Sequence, residues 1–385
     1  MNKHCIIIFS TLLYVSIIVY PSIIVKKYIK ICVASNMTTC KIQNNAKQLY
    51  IEDACNKHLL ITKKIINVFF INQNTISVDG CILSLPVLIK PSEDGFIFIG
   101  LNSYRGDFIL QKSYTLCNSF DVINIISIEN YLKGVIPKEV NENWDIEALK
   151  VQSIASRTYS ILNYKKHEHQ GFNLCSTTHC QVYGGLSAEA KKCNIAVMQT
   201  EGKILMYKGE LAHTVFHSTC GGHTENSKYI WYKAKSPKYL RGVKCSFCSK
   251  SPYFRWQENL DEDLIRNKLL NNIEQINIGN IQKIKVKSRT QTGTAKTLKI
   301  IHSKGKFLIC AYQFRLIINP YIIKSHAFSS IKHCGDKFYF TGKGWGHMVG
   351  LCQWGTKVMA EQGKTCSQIL KYFFPKTKIN TIQYQ

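Results

Sequence analysis

The stretch "NENWDIEALKVQSIASRTYSILNY" (141–164) is the clearest helix in this chain, and everything around it must supply a surface for it to pack on. Asp145 suits an N-cap, and Glu147 falls in the first turn, where the helix dipole favours an anion. Ala148, Val151, Ala155, Tyr159 and Leu162 recur at steps of three and four, which predicts one buried stripe. The small side chains at 148 and 155 let a neighbouring element approach closely. The flanks are β-like. From about 36 to 115, runs such as "KKIINVFFI" and "GFIFIGLNSYRGDFIL" are rich in Ile, Val and Phe, and are broken by Asp79-Gly80 and by the segment Pro91 to Gly95. "DVINIISIENYLKGVIPKEV" leads from a strand into a turn at Pro137. Beyond 257, "NIQKIKVKS", "TLKIIHS", "KFLICAYQFRLII" and "DKFYFTG" are again β-like, and "GTKVMAEQGKTCSQILKYFF" predicts a closing helix. The expected class is α+β, predominantly β: a mixed multi-strand domain with one or two core helices. Three segments are expected: residues 1–35, a small β-rich region 36–115, and the main domain 116–385.

The first segment holds an uncharged run from Cys5 to Val25, preceded by Lys3 and followed by Lys26, Lys27 and Lys30. Its length suffices to cross a bilayer core, so an N-terminal membrane anchor with the rest exported is expected. A cleaved signal ending near Val33-Ala34-Ser35 is the alternative, and the lysines before that site count against it. Fifty Lys and Arg against 24 Asp and Glu give a formal net charge of +26, which favours a polyanionic partner: nucleic acid, anionic lipid or an anionic wall polymer. A general lysine bias of the source explains the same number. No dense basic block accompanies it, so nucleic-acid binding would rest on charge alone and is not expected. The 16 cysteines are scattered, which predicts no compact disulfide framework and leaves room for a metal site beside inert buried thiols.

Three stretches carry more chemistry than folding needs. In "GVIPKEV", Glu139 is placed in the connection before the helix, and Arg157 lies among small residues on the helix itself, where a guanidinium needs a partner. In "GKGWGHMVGLCQWGTKVMAEQGK", four glycines allow close backbone approach, while Trp345, His347, Gln353 and Trp354 supply flat faces and hydrogen-bonding edges. That mixture suits a carbohydrate, whose ring faces stack on indoles and whose hydroxyls need polar partners. In "CSTTHCQVYGG", Cys175, His179 and Cys180 stand within six residues, with His167 and His169 upstream, a density that suits tetrahedral zinc. His217, Cys220, His223 and the Cys245-x-x-Cys248 pair are further metal candidates.

Taken in order from about 120 to 378, "YLKGVIPKEV", "EALKVQSIASRTYSI", "CSTTHCQVYGG", "VFHSTCGGHTENSKYIW", "YLRGV", "SPYFRW", "FTGKGWGHMVGLCQWGTKVMAEQGK" and "QILKYFFP" resemble the stage II sporulation protein D family, also called the SpoIID/LytB domain. The resemblance implies a lytic transglycosylase that cuts peptidoglycan glycan strands, preferably those stripped of stem peptides, in a glycan-binding groove. It implies Glu139 as the catalytic acid. It places Arg157 at the substrate's N-acetyl or lactyl groups, or in holding the site together. Gln181, Tyr183, Thr224, Glu225, Trp231, Trp345, His347 and Gln353 are expected near substrate. A structural zinc is implied on Cys175, His179 and Cys180, with His169 expected as the fourth ligand and His167 and Cys220 as alternatives. By this reading "HSTCGGHTENSKYIW" is groove wall rather than metal cage. The chain departs from the family pattern at Met348, Cys352, Ser153 and Ser156, which touches groove shape and removes no catalytic group.

Breaking a glycosidic bond needs a proton on the leaving oxygen. A hydrolase then needs a second carboxylate, whereas a lytic transglycosylase closes a 1,6-anhydro ring with the sugar's own hydroxyl and can use one. The rival expectation is a non-catalytic wall-binding module, or one that modulates an amidase or another wall-remodelling protein.

Overall fold

The computed structural model describes residues 23–93, 95–231 and 236–385. Most of the apolar run, Cys5 to Ser22, lies outside these residues. Its last three, Ile23–Val25, form a strand parallel to the C-terminal strand Lys378–Tyr384. No helix among the described residues is long and apolar enough to cross a membrane.

Two antiparallel-rich sheets share one core. The seven-stranded sheet runs, in order, Leu174–Cys175, Tyr28–Met37, Phe120–Ser127, Asp107–Lys112, Val87–Pro91, Leu49–Glu52 and His58–Ile61. A six-stranded sheet is built from residues 39 to 104. Alternation sets the faces: in Thr39–Asn44 every second residue is buried, as a strand with one face on a core requires. Strands on both sides of the expected boundaries at 35 and 115 therefore pair in one sheet. Val33, Ala34 and Ser35, the candidate cleavage site, lie inside the strand Tyr28–Met37, which pairs with Phe120–Ser127.

Seven helices are present among the described residues: α1 (Ile128–Glu139), α2 (Ile146–Leu162), α3 (Lys191–Gln199), α4 (Glu262–Asn272), α5 (Ala311–Ile318), α6 (Gln353–Glu361) and α7 (Cys366–Phe373). The fold is α+β and mostly β, with more helices than the one or two expected. "IENYLKGVIPKE" is helix α1 rather than a turn at Pro137. Ser127 caps it by accepting from the Asn130 N–H at 3.3 Å, and Pro137 falls in its last turn. The "AYQFRLII" run is α5 rather than strand, because Ala311, Phe314, Arg315 and Ile318 at steps i, i+3, i+4 and i+7 are the buried positions. The closing helix is two helices, split at the Thr365 capping box.

Helix α2 starts as expected, with the Asp145 carboxylate accepting from the Glu147 N–H at 2.8 Å. It is buried on nearly every side rather than along one stripe, and touches α1, α3, α6, α7 and the strand Lys203–Tyr207. Tyr159 and Leu162 are only partly buried. A second core gathers α2, α6 and α7. A third, from 256 to 342, packs α4 and α5 against two three-stranded sheets.

Candidate functional site

Glu139 is the final residue of α1, not part of a connection. A tight contact one turn earlier fixes its surroundings. A Cβ on Gly134 would lie 2.6 Å from the Tyr183 ring and 2.7 Å from the Gly185 carbonyl oxygen, so only glycine lets segment 182–185 lie against the helix. The Gly184 N–H donates to the Gly134 carbonyl at 3.1 Å. Seated there, the Val182 N–H donates to Glu139 Oε1 at 3.2 Å. From the other side, Gln353 Nε2 donates to the Glu139 backbone carbonyl at 3.2 Å. Burial pushes the Glu139 carboxyl up to about 7, against the smaller opposing effect of the Val182 hydrogen bond.

Glu139 opens into a cleft of about 650 Å³. Trp231, Trp345, His347 and Gln353 line it, as the sequence predicts. Among the described residues that line it Glu139 is the only carboxylate, and Lys166 and Arg315 are cations. The Val349 N–H donates to His347 Nδ1 at 3.0 Å, which leaves the proton of the neutral ring on Nε2. Burial holds His347 well below the usual histidine range, so the neutral form prevails. His217 donates from Nδ1 to the Val349 carbonyl at 3.1 Å, and burial pulls it down to about 4.

Five expected substrate residues lie elsewhere. Arg157 is fully buried and forms a fork with Glu129, Nε to Oε1 and Nη2 to Oε2, both at 2.7 Å. It also donates to the Lys203 and Val197 carbonyls, so it ties α1, α2, α3 and the strand Lys203–Tyr207 together. Of the two roles open to it, holding the structure is the one its contacts serve. Gln181 is buried and accepts from the Tyr131 hydroxyl at 3.3 Å. The Tyr183 hydroxyl donates to Asn124 Oδ1 at 3.0 Å, inside the first core. Thr224 bonds to Val243, and buried Glu225 accepts from the hydroxyls of Thr290, Thr292 and Thr294. A buried carboxylate needs such partners: the three hydroxyls meet Oε2, and Oε1 accepts from the Asn226 N–H at 2.7 Å.

The metal set is also corrected at one position. His169 is exposed and packs edge-on against Tyr114. His167 takes its place: the ligand atoms of His167, Cys175, His179 and Cys180 lie within 4.8 Å of one another. His167 Nε2 is 3.4 Å from Cys180 Sγ, and His179 Nδ1 is 3.6 Å from Cys175 Sγ. Two sulfurs and two imidazole nitrogens at these separations fit a tetrahedral ion. His179 and Cys180 also line the cleft, and the loop they brace carries Val182. Cys220 is not part of this set.

A family model described as Stage II sporulation protein matches residues 117–207, and one described as a domain of unknown function matches 232–350. The stage II sporulation protein D of Bacillus subtilis is 30% identical over 277 residues, which cover 66% of this chain and 75% of that protein. The chain belongs to the stage II sporulation protein D family. Another member, from Bacillus amyloliquefaciens, is 31% identical over 66% of this chain and 74% of its own. The amidase enhancer of Bacillus subtilis is 32% identical over 65% of this chain, a match that spans 40% of that longer protein.

Sequence reasoning missed Arg315, Lys166, Tyr312 and Tyr321 as cleft residues. For Arg315 the signal was present: a lone arginine inside an apolar run needs a reason to be there. Reading the run as a strand hid which face it occupies.

Proposed function

We propose that this member of the family is a peptidoglycan lytic transglycosylase, cleaving glycan strands to 1,6-anhydro-muramic products. One observation carries the reading: among the described residues lining the cleft Glu139 is the only carboxylate, and burial raises it to about 7, so a large fraction of it holds a proton at neutral pH. Glu139 gives its proton to the glycosidic oxygen as the C1–O bond breaks. The same carboxylate then takes the proton of the C6 hydroxyl as that oxygen bonds to C1. The acid ends protonated, no water is consumed, and no second carboxylate is needed. Trp231 and Trp345 offer faces for the sugar rings, and the Nε2–H of neutral His347 offers a donor for a sugar oxygen. Arg315 and Lys166 suit the lactyl carboxylate of muramic acid.

Zinc on His167, Cys175, His179 and Cys180 belongs to this reading as a structural ion that fixes the loop leading to Val182; the proton transfers are those of Glu139 alone. The apolar run is read as an anchor that places the enzyme outside the membrane. A reporter fused after residue 385 that works only in the cytoplasm would overturn that placement.

The test is mass spectrometry of products released from purified glycan strands. Anhydro ends are expected. Reducing ends would mean that water attacks and would remove the lyase reading. Strand binding without cleavage would favour a module acting on an amidase, the alternative suggested by the similarity to the amidase enhancer.

A further inference from the structure

A second cysteine cluster lies apart from the first. Cys220, Cys245, Cys248 and Cys352 are all buried, and their four sulfurs lie within 4.8 Å of one another, with Cys220 and Cys248 at 3.5 Å. None of the four is disulfide-bonded. We propose that these four cysteines form a structural zinc site, distinct from the His167 set, that clamps the wall of the cleft.

Buried cysteines often pack as small apolar side chains, so convergence alone is weak. The surroundings go further. Four sulfurs at about 2.3 Å from a tetrahedral zinc stand roughly 3.8 Å apart, the scale seen here. Cys245 and Cys248 have the two-residue spacing of a zinc-binding pair, and Cys248 sits in a short 3-10 turn, Phe247–Lys250. Backbone donors are aimed at sulfur: the Cys220 and Gly355 N–H groups reach Cys352 Sγ at 3.3 and 3.4 Å. A neutral thiol is a weak acceptor, whereas a thiolate is a strong one. Cys352 also caps α6, so its sulfur sits at the positive end of that helix. Space for the cluster is reserved by Gly355, where a Cβ would lie 2.9 Å from Cys245 Sγ and 3.4 Å from Cys352 Sγ.

Disulfides would pair the sulfurs two by two and give no reason for all four to meet. Iron accepts the same four thiolates, but zinc is the common closed structural choice for such a set. The position explains a benefit. Cys220 follows the cleft residues His217 and Ser218, and Cys352 precedes Gln353, which holds the Glu139 carbonyl. One ion would join three segments that are distant in sequence and set the end of the Trp345–Gln353 stretch.

The test uses the full chain with Cys180→Ser, which disables the first set and leaves the second whole. Elemental analysis should find about one zinc per chain remaining, and cobalt substitution should give the intense thiolate-to-metal absorption of an all-sulfur tetrahedral site. Adding Cys245→Ser should remove that ion; if the double variant does not fold, the metal count and spectrum of Cys180→Ser decide alone. Metal-free, folded Cys180→Ser protein overturns the proposal. Bound iron overturns the choice of zinc. A peptide mass map, after alkylation in denaturant, that shows these four cysteines unlabelled would assign them to disulfides and also overturn it.

Discussion

Arg157 and Arg315 are both buried, one in the region matched by the sporulation family model and one in the region matched by the domain of unknown function. Arg157 spends its charge internally on the Glu129 carboxylate. Arg315 donates only to the Lys324 and Pro320 carbonyls at 3.0 and 3.2 Å, and among the described residues no carboxylate stands within salt-bridge distance of it. In the proposed function this buried cation, which opens into the cleft without a counter-ion, is the group that receives a substrate anion. The same side chain therefore does two jobs. In the proposed reading the first region carries the acid and the buried fork, and the second adds Arg315, Trp345 and His347 to cleft walls that the first region also lines through Lys166 and His179.

The division is most exposed at Glu139. Glu139→Gln keeps the shape but has no proton to give, so turnover on glycan strands should fall by about a hundredfold to ten-thousandfold, with strand binding nearly kept. Undiminished cleavage would place the acid elsewhere and dissolve the assignment of chemistry to the first region.

Next in size is Arg157→Ala. Removing one partner of a buried fork strands Glu129 and opens carbonyls of two neighbouring elements, a loss of about 3–5 kcal/mol. Urea unfolding should show it, while substrate affinity in the remaining folded protein stays unchanged. A purely kinetic effect would instead return Arg157 to the cleft.

The raised pKa of Glu139 has its own signature. Folding holds that proton more tightly than the unfolded chain does, so its cost is absent below the ordinary carboxylate value of 4.5 and complete above about 7. Glu139→Gln lacks this cost. Its stability advantage over the unmutated protein should be nearly nil near pH 4 and grow to about 3 kcal/mol by pH 8. An advantage that does not change with pH would mean the carboxyl is not raised. Cleavage by the unmutated enzyme should correspondingly decline as pH rises through about 7, where the acid loses its proton.

The smallest effect is expected at Arg315. Arg315→Ala should raise KM for strands carrying free lactyl carboxylates by about tenfold, with kcat and melting temperature little changed. A stability loss as large as that at Arg157 would erase the contrast between the two arginines.

Local chemistry was legible before any coordinates. The Asp145 cap, the strand runs, the turn at Asp79-Gly80 and the close-spaced Cys175, His179 and Cys180 depend on residues a few positions apart, where covalent geometry dictates what can meet. Glu139 was legible through its motif, and so were the aromatic and polar residues of the Trp345–Gln353 stretch. Burial on a second side was not. Helix α2 shows one stripe in its sequence, yet small and hydroxylated residues let it be enclosed all round, because Ser153 and Thr158 satisfy their hydroxyls on the helix's own carbonyls. Thr224, Glu225, Gln181 and Tyr183 are polar in motif and structural in place, since a polar side chain looks the same in sequence whether its partner is substrate or protein.

Sequence by itself determined the strand runs, the Asp145 cap and the close spacing of Cys175, His179 and Cys180, all of which rest on neighbours along the chain. Only the tertiary structure decided which distant groups converge. Glu129 reaches Arg157 across 28 positions, Arg315 reaches the cleft through α5, and Cys352 meets Cys220 from 132 positions away. Such meetings are fixed by the packing of separate cores against one another, and no local pattern encodes the distance between elements that touch only after the chain has folded.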